Sequence, residues 1–255
     1  MFFNRLRPTW SPAVTLVTRR CVNYQFAAPS PQQSVHDEIW ELYADHRIGS
    51  KGETSYEALG IGPDHPGLYD RVSCLIDRCL STGLTAVARE SGTGKLIGVR
   101  LCHPTTVADY ARWVDKLDDE IDEFKRRGDD KMARKFGIIR WTKKALLRRE
   151  REENLFGGRH RLLSFDALVV HRDYRRMGIA FKLNRITTTK GREEGLQLAL
   201  LAATSLSAQK MFDRVEGMNV VLDIPYKEIV DDCGEALVTP LNGTKRYKMY
   251  MSYLL

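Results

Sequence analysis

The segment Ala167-Leu-Val-Val-His-Arg-Asp-Tyr-Arg-Arg-Met-Gly-Ile-Ala180 constrains the fold of this chain more than any other. Apolar residues at a strand's pace run into a basic turn, then a glycine, then the first turn of a helix. A helix that opens this way carries backbone N–H groups without intrahelical partners, and its macrodipole favours negative charge there. The residue types suit an anion such as phosphate. Gly178 lets the backbone come close to a bulky group that a β-carbon would hold off. Ala180 is the smallest residue that still favours a helix. Arg175 and Arg176 add mobile positive charge. Ile179, Leu183 and Ile186 then fall at i, i+4 and i+7, with Lys182, Arg185 and Lys190 off that face.

The neighbouring segments fix the fold class. Arg161 to Val170 reads as a strand, Ile179 to Glu194 as a helix, and Leu196 to Ala203 as a nearly continuous apolar strand. Strand–helix–strand order implies parallel pairing through a right-handed crossover. Ser205 to Val215 reads as a further helix with Ala208, Met211, Phe212 and Val215 inward. Met218 to Ile224 and Tyr247 to Tyr253 close the chain as strands. Upstream, Cys21 to Ala27 is strand-like, and Gln32 to Asp45 is helical with Val35, Ile39, Leu42 and Tyr43 on one side. Leu84 to Glu90 and Lys95 to Cys102 make a hairpin around Ser91-Gly-Thr-Gly94. That turn is not a P-loop, because Arg89 stands where the first glycine belongs and Leu96 replaces the Ser/Thr. The reading is α/β (α+β), with a mixed central sheet and helices on both faces.

Composition limits the partners. At 255 residues the chain suits one domain with insertions, and it lacks the run of about 18 apolar residues that a membrane span needs. The net charge of +7 favours anionic ligands. Five cysteines without a C-x-x-C pair read as reduced thiols, giving neither a disulfide frame nor a metal site. From Val107 to Asn154 the chain is densely charged and helical, and Arg140, Lys143, Lys144, Arg148, Arg149 and Arg151 cluster there. Trp141 is the one aromatic amid that cluster and Asp118, Asp119 and Glu120 are near. It therefore reads as a solvated face, not a base-stacking platform, and no nucleic-acid partner is expected. Residues 1–20 carry four arginines and no acid, as in a disordered basic tail or a mitochondrial transit peptide. The expected locations are accordingly cytoplasmic or mitochondrial.

The spacing Arg175-x-x-Gly178-x-Ala180 after such a strand is similar to the acetyl-coenzyme A signature of the GNAT superfamily of N-acetyltransferases. Within it the chain looks most like the invertebrate arylalkylamine (dopamine and serotonin) enzymes. Three segments carry the resemblance: Ala167 through Gly178, Ala203-Thr-Ser-Leu-Ser-Ala-Gln-Lys-Met-Phe212, and Glu53-Thr-Ser-Tyr-Glu-Ala-Leu-Gly60. It implies a GNAT fold over a single domain, residues 21–255, whose parallel strands splay apart. A helical insertion at about 107–156 would cover the acceptor site. It also implies acetyl-CoA bound by Leu168, Val169, Val170, Arg175, Arg176, Met177, Gly178, Ile179, Ala180 and Phe181, and a small amine acceptor served by a monomer. The sequence departs from the family at Thr54, where proline is usual, and at Ala208, where a serine is usual. Ser164 and Asp166 stand at the paired histidines of the vertebrate enzymes.

The reaction the resemblance implies is direct attack of a primary amine on a thioester. The amine arrives protonated, with a pKa of about 10, so a base must take a proton. The resemblance gives that role to Glu53. A free N–H on the Leu168–Val170 edge would serve the developing oxyanion. Thr204 or Ser207 would serve the departing thiolate, with Tyr250 a weaker choice. His171 sits beside Arg172 and Arg175, a setting that disfavours its charged form and suggests a surface position. The competing readings are an acyltransferase for polyamine, amino acid or protein amines, a catalytically silent acyl-CoA-binding module, and a basic nucleic-acid binder.

Overall fold

The computed structural model describes residues 21–28, 33–48, 55–239 and 244–254. The basic tail, Glu53 and Thr54 lie outside them. The elements run β1 (Val22–Phe26), α1 (Gln33–Tyr43), a π-helical turn (Ala44–Ile48), α2 (Ser55–Ala58), α3 (Leu68–Leu80), β2 (Ala86–Glu90) and β3 (Leu96–Thr106). There follow α4 (Val107–Arg126), α5 (Asp130–Glu153), β4 (Arg161–Val170), α6 (Ile179–Glu193), β5 (Leu198–Ala203), α7 (Leu206–Phe212), β6 (Asn219–Pro225) and β7 (Arg246–Tyr253). The strands form one sheet in the order β1-β2-β3-β4-β5-β7-β6. Pairing is antiparallel except between β4 and β5, the crossover pair, so the sheet is mixed as expected. Helix α3 is the one long element that the sequence reading leaves unassigned.

Each face of the sheet has its own helices. On one, Ile179 and Leu183 of α6 are buried against Ala86, Ala88 and Ile97. A side chain on Gly98 of β3 would stand 3.0 Å from Ile179 Cγ2 and 3.2 Å from Leu183 Cδ1, so only glycine lets α6 lie this close. Burying a leucine such as Leu183 contributes about 1.5–3 kcal/mol. On the other face, Ile39 and Leu42 of α1 and Val72 and Ile76 of α3 pack with Val99, Leu101, Ala167 and Val169. Helices α4 and α5 form the expected insertion. Thr106 caps α4 by accepting from the Asp109 N–H, and Asp129 caps α5 by accepting from the Met132 N–H. Its basic cluster is largely paired: Arg140 with Asp118 and Asp232, Lys144 with Asp118, and Arg149 with Glu153. Among the described residues no helix is long and apolar enough to cross a membrane.

Two irregularities in β4 prepare a site. First, β4 and β5 pair only from Leu162↔Leu198 to Phe165↔Leu201, although β4 runs on to Val170. From Asp166 onward β4 keeps β3 on one side and, among the described residues, no strand on the other. Second, Leu101 faces Ala167 while Cys102 faces Phe165, so Asp166 is the extra residue of a β-bulge. The bulge falls where the strands part.

Candidate active site

The turn that leaves β4 is built from backbone strain and arginine anchors. Arg176 and Gly178 both adopt left-handed backbone, with φ of 64° and 77°. Gly178 is the N-cap of α6 and has no side chain to close it, so the first N–H bonded within the helix is that of Lys182, to the Gly178 carbonyl. The amides of Ile179, Ala180 and Phe181 are left facing outward. A β-carbon on Gly178 would meet nothing within 4 Å, so the space over this helix end is open. Met177 and Phe181 flank it and are exposed, whereas the Ile179 side chain is buried and offers only its amide.

Arg175 differs from expectation. It is not a mobile charge: Nη2 donates to the His46 carbonyl at 3.0 Å and Nε to the Val170 carbonyl at 3.4 Å. It ties the turn to the π-helical segment, although both arginines are exposed. His171 also differs, being half-buried with its ring centroid 4.1 Å from that of His46. Burial, and then the nearby Lys95 ammonium, lower its pKa, in the direction the sequence suggests.

Along the free edge, Leu168 and Val170 turn to the α6 face and Val169 to the opposite one. Among the described residues this edge has no ladder partner on the β5 side, and apart from the Val170 carbonyl taken by Arg175 its backbone groups there let an extended ligand arm add like a strand. The edge leads from the bulge to the open helix end. Together they form one slot, with phosphate chemistry at one end and the parting of β4 and β5 at the other.

At that parting lies a cluster the sequence reading missed. The His103 imidazole donates from Nδ1 to Asp166 Oδ2 at 2.7 Å. The Cys79 thiol donates to the same oxygen at 3.6 Å, and Ser164 Oγ to Oδ1 at 3.4 Å. Burial pushes the Asp166 carboxyl up, but the His103 hydrogen bond and the charges of His103, Arg78 and Lys143 together hold it below the usual carboxylate range. The three potential ligand atoms of Cys79, His103 and Asp166 lie within 4.8 Å of one another. A cation there would need the thiolate. Burial and the Asp166 charge push that thiol's pKa up, so the cluster is a hydrogen-bonded chain converging on a carboxylate.

Around Asp166 the same face is aromatic and cationic. Lys135 is buried over the Tyr56 ring and donates to Ser55 Oγ. Burial, then Arg47, bring its pKa down to about 7. Lys143 lies over Tyr110 and Trp113, and burial brings it down to about 8. Arg47 lies over Tyr43, whose hydroxyl is 3.4 Å from that of Tyr56.

The hydroxyls named from the sequence fare unequally. Thr204 follows β5 directly and its carbonyl accepts from Tyr226 Oη; Ser207 is exposed in the first turn of α7, 3.2 Å from the Ser205 hydroxyl that caps the helix. Both stand at the end of β5 nearest the slot. Tyr250 does not: it is fully buried, and its hydroxyl donates to Asp213 Oδ1 at 2.7 Å on the α7 side.

Solved structures share this architecture. A serine-to-alanine variant of an agmatine N-acetyltransferase in its apo form aligns with a TM-score of 0.72 at 16% identity, over 91% of this chain and 99% of that one. Arylalkylamine N-acetyltransferase 2 from Aedes aegypti aligns at 0.71 and 18%, over 92% and 99%. A Drosophila melanogaster polyamine N-acetyltransferase, which forms N-acetylagmatine, aligns at 0.71 and 15%, over 91% and 100%. This is the GNAT fold. No family model matches the chain, and no curated protein matches it by sequence. At these identities the likeness is one of fold, and in GNAT terms the parted β4 and β5 are the splayed strands anticipated from the sequence.

Proposed function

We propose that this chain is an acetyl-CoA-dependent N-acetyltransferase acting on the primary amine of a small arylalkylamine. One observation carries the reading: the unpaired edge of β4 leads directly to an uncapped, left-handed opening of α6. Those features fit the two ends of acetyl-CoA. Leu168, Val169 and Val170 would hold the pantetheine arm by backbone hydrogen bonds. Arg176, Gly178 and the amides of Ile179, Ala180 and Phe181 would hold the pyrophosphate, with Met177 and Phe181 flanking it. Arg175 keeps that loop in place. Bound acetyl-CoA supplies an acyl carbon already activated as a thioester. The protein's share is to orient it, to donate an N–H from the β4 edge to the carbonyl oxygen, and to accept the amine's proton. Thr204 and Ser207 are the candidate partners of the departing sulfur, and Glu53 is the candidate base by resemblance.

The choice of acceptor rests on the aromatic and cationic face. Tyr43, Tyr56, Tyr110 and Trp113 offer ring surface, while Arg47, Lys135 and Lys143 add positive charge. A polyamine or agmatine would bring a second cation into that field, and an aryl group would not. Slot and bulge come from a single chain, so a monomer suffices.

Mixing the purified protein with acetyl-CoA and tryptamine, dopamine, agmatine, spermidine or glycine, and following free thiol, tests the reading. Thiol release with an aryl amine is expected to exceed that with either polycation at least tenfold. The opposite order would reassign the acceptor. Coenzyme A binding without release from any amine would leave only a silent binding module.

A further inference from the structure

We infer that His103, held by Asp166, is the group that takes the proton from the acceptor amine. The inference rests on the acetyltransferase reading above and gives His103 the proton-accepting role that the resemblance alone gives to Glu53. His103 on β3 is the cross-strand neighbour of Ser164, one step from where the β4–β5 ladder stops. The Asp166 carboxylate lies on the face that His103 and Ser164 share, giving the 2.7 Å contact. Alternation from Ser164 already puts Asp166 on that face, and the extra residue brings Ala167 to it as well. Both groups therefore sit at the mouth of the splay, where the amine must meet the acyl carbon.

The hydrogen bond assigns the tautomer. An ionised Asp166 is only an acceptor, so Nδ1 carries the proton and Nε2 keeps its lone pair. Among the described residues no donor occupies Nε2, and the His103 side chain keeps 16% of its surface exposed. Nε2 is thus an available base in a nearly closed site. Asp166 is a positioning residue: it fixes the ring and stabilises the imidazolium that forms. The other groups whose charges act on the pair are Arg78 and Cys79 of α3, Arg100 and Cys102 of β3, Tyr110 of α4, Lys143 of α5 and Arg47 of the π-helical turn. Cys79 stays a thiol and a donor.

The proton count closes. The acceptor ammonium nitrogen loses two protons as its lone pair forms the C–N bond and the C–S bond breaks. One proton ends on the departing sulfur, and the other passes through His103 Nε2 to solvent.

The test combines His103→Gln and Asp166→Asn with kcat/KM for the best amine across pH 5.5–9.5, coenzyme A affinity, and nitrogen-15 imidazole spectra of the wild-type protein. His103→Gln is expected to lower kcat about 100- to 1000-fold and to abolish the one-proton acid limb, with coenzyme A affinity unchanged. Asp166→Asn is expected to keep a limb but move it to lower pH, since the imidazolium loses its counter-charge. The spectra are expected to show His103 protonated at Nδ1 near neutral pH. An active wild type whose His103→Gln variant keeps kcat within threefold and retains the limb overturns the assignment alone. So does a wild-type ring protonated at Nε2, whatever the variants do. A wild type that turns over no amine overturns the acetyltransferase reading as well.

Discussion

Gly178 offers the sharpest test of where phosphate rests, because the structure separates three costs at one position. Its φ of 77° is left-handed, and a β-carbon there meets nothing within 4 Å. Gly178→Ala should therefore cost only the left-handed conformation, about 1–2 kcal/mol, or a fall in Tm of roughly 2–8 °C at this chain length. Gly178→Gln adds bulk over the open helix end. Gly178→Glu adds the same bulk and a negative charge. At about 6 Å and an effective dielectric of about 40, Coulomb's law gives about 1.4 kcal/mol per phosphoryl charge. Two phosphoryl groups make that about 2.8 kcal/mol, or about 100-fold between the Glu and Gln variants in coenzyme A affinity. The ratio should shrink as salt rises, since exposed charges are screened over about 10 Å at 0.1 M. Isothermal titration of coenzyme A into the three variants at two salt concentrations, alongside melting curves, reads all of these. Equal affinity of the Glu and Gln variants, both near wild type, would refute a pyrophosphate at this helix end.

Two further outcomes follow from the packing. Gly98→Val places methyl groups where Ile179 and Leu183 already stand at 3.0 and 3.2 Å from a β-carbon. It should destabilise by about 1–3 kcal/mol and weaken coenzyme A binding by displacing the α6 opening; a variant with unchanged melting and affinity would show that α6 is not held by this approach. Lys135 has its pKa brought down to about 7 by burial and then by Arg47, so between pH 7 and about 10 the unfolded chain binds the extra proton and stability rises with pH. Over that range the stability of Lys135→Met relative to wild type should fall by on the order of 3 kcal/mol, and parallel denaturant-unfolding curves would show that the amine is not desolvated.

The slot was legible because its parts are local. A strand, a left-handed glycine and an amphipathic helix occupy consecutive residues, and each leaves its mark on composition or periodicity. Even there the role of Arg175 was not: its anchor is the His46 carbonyl, far away in sequence. Helix α3 was missed although Leu68, Val72, Ile76, Cys79 and Leu80 mark its buried side. Its polar first turn after Gly67, which has no capping side chain, gives no start signal of the usual kind.

The cluster at the splay was illegible for a different reason. His103 and Asp166 are brought together by antiparallel register, at the point where one residue of β4 bulges. Without that bulge, strand alternation along β4 puts Asp166 with Ser164 on one face and Ala167 on the other, yet Ala167 packs with α1 and α3 and Asp166 bonds to Cys79 of α3. Both neighbours of the bulge thus share one face, which no period-two reading of Leu162-Leu-Ser-Phe-Asp-Ala-Leu-Val-Val170 contains. The loss of histidines from the family positions on β4 looked like the loss of an imidazole base. The fold instead supplies the imidazole from β3 and leaves β4 to provide the carboxylate that holds it.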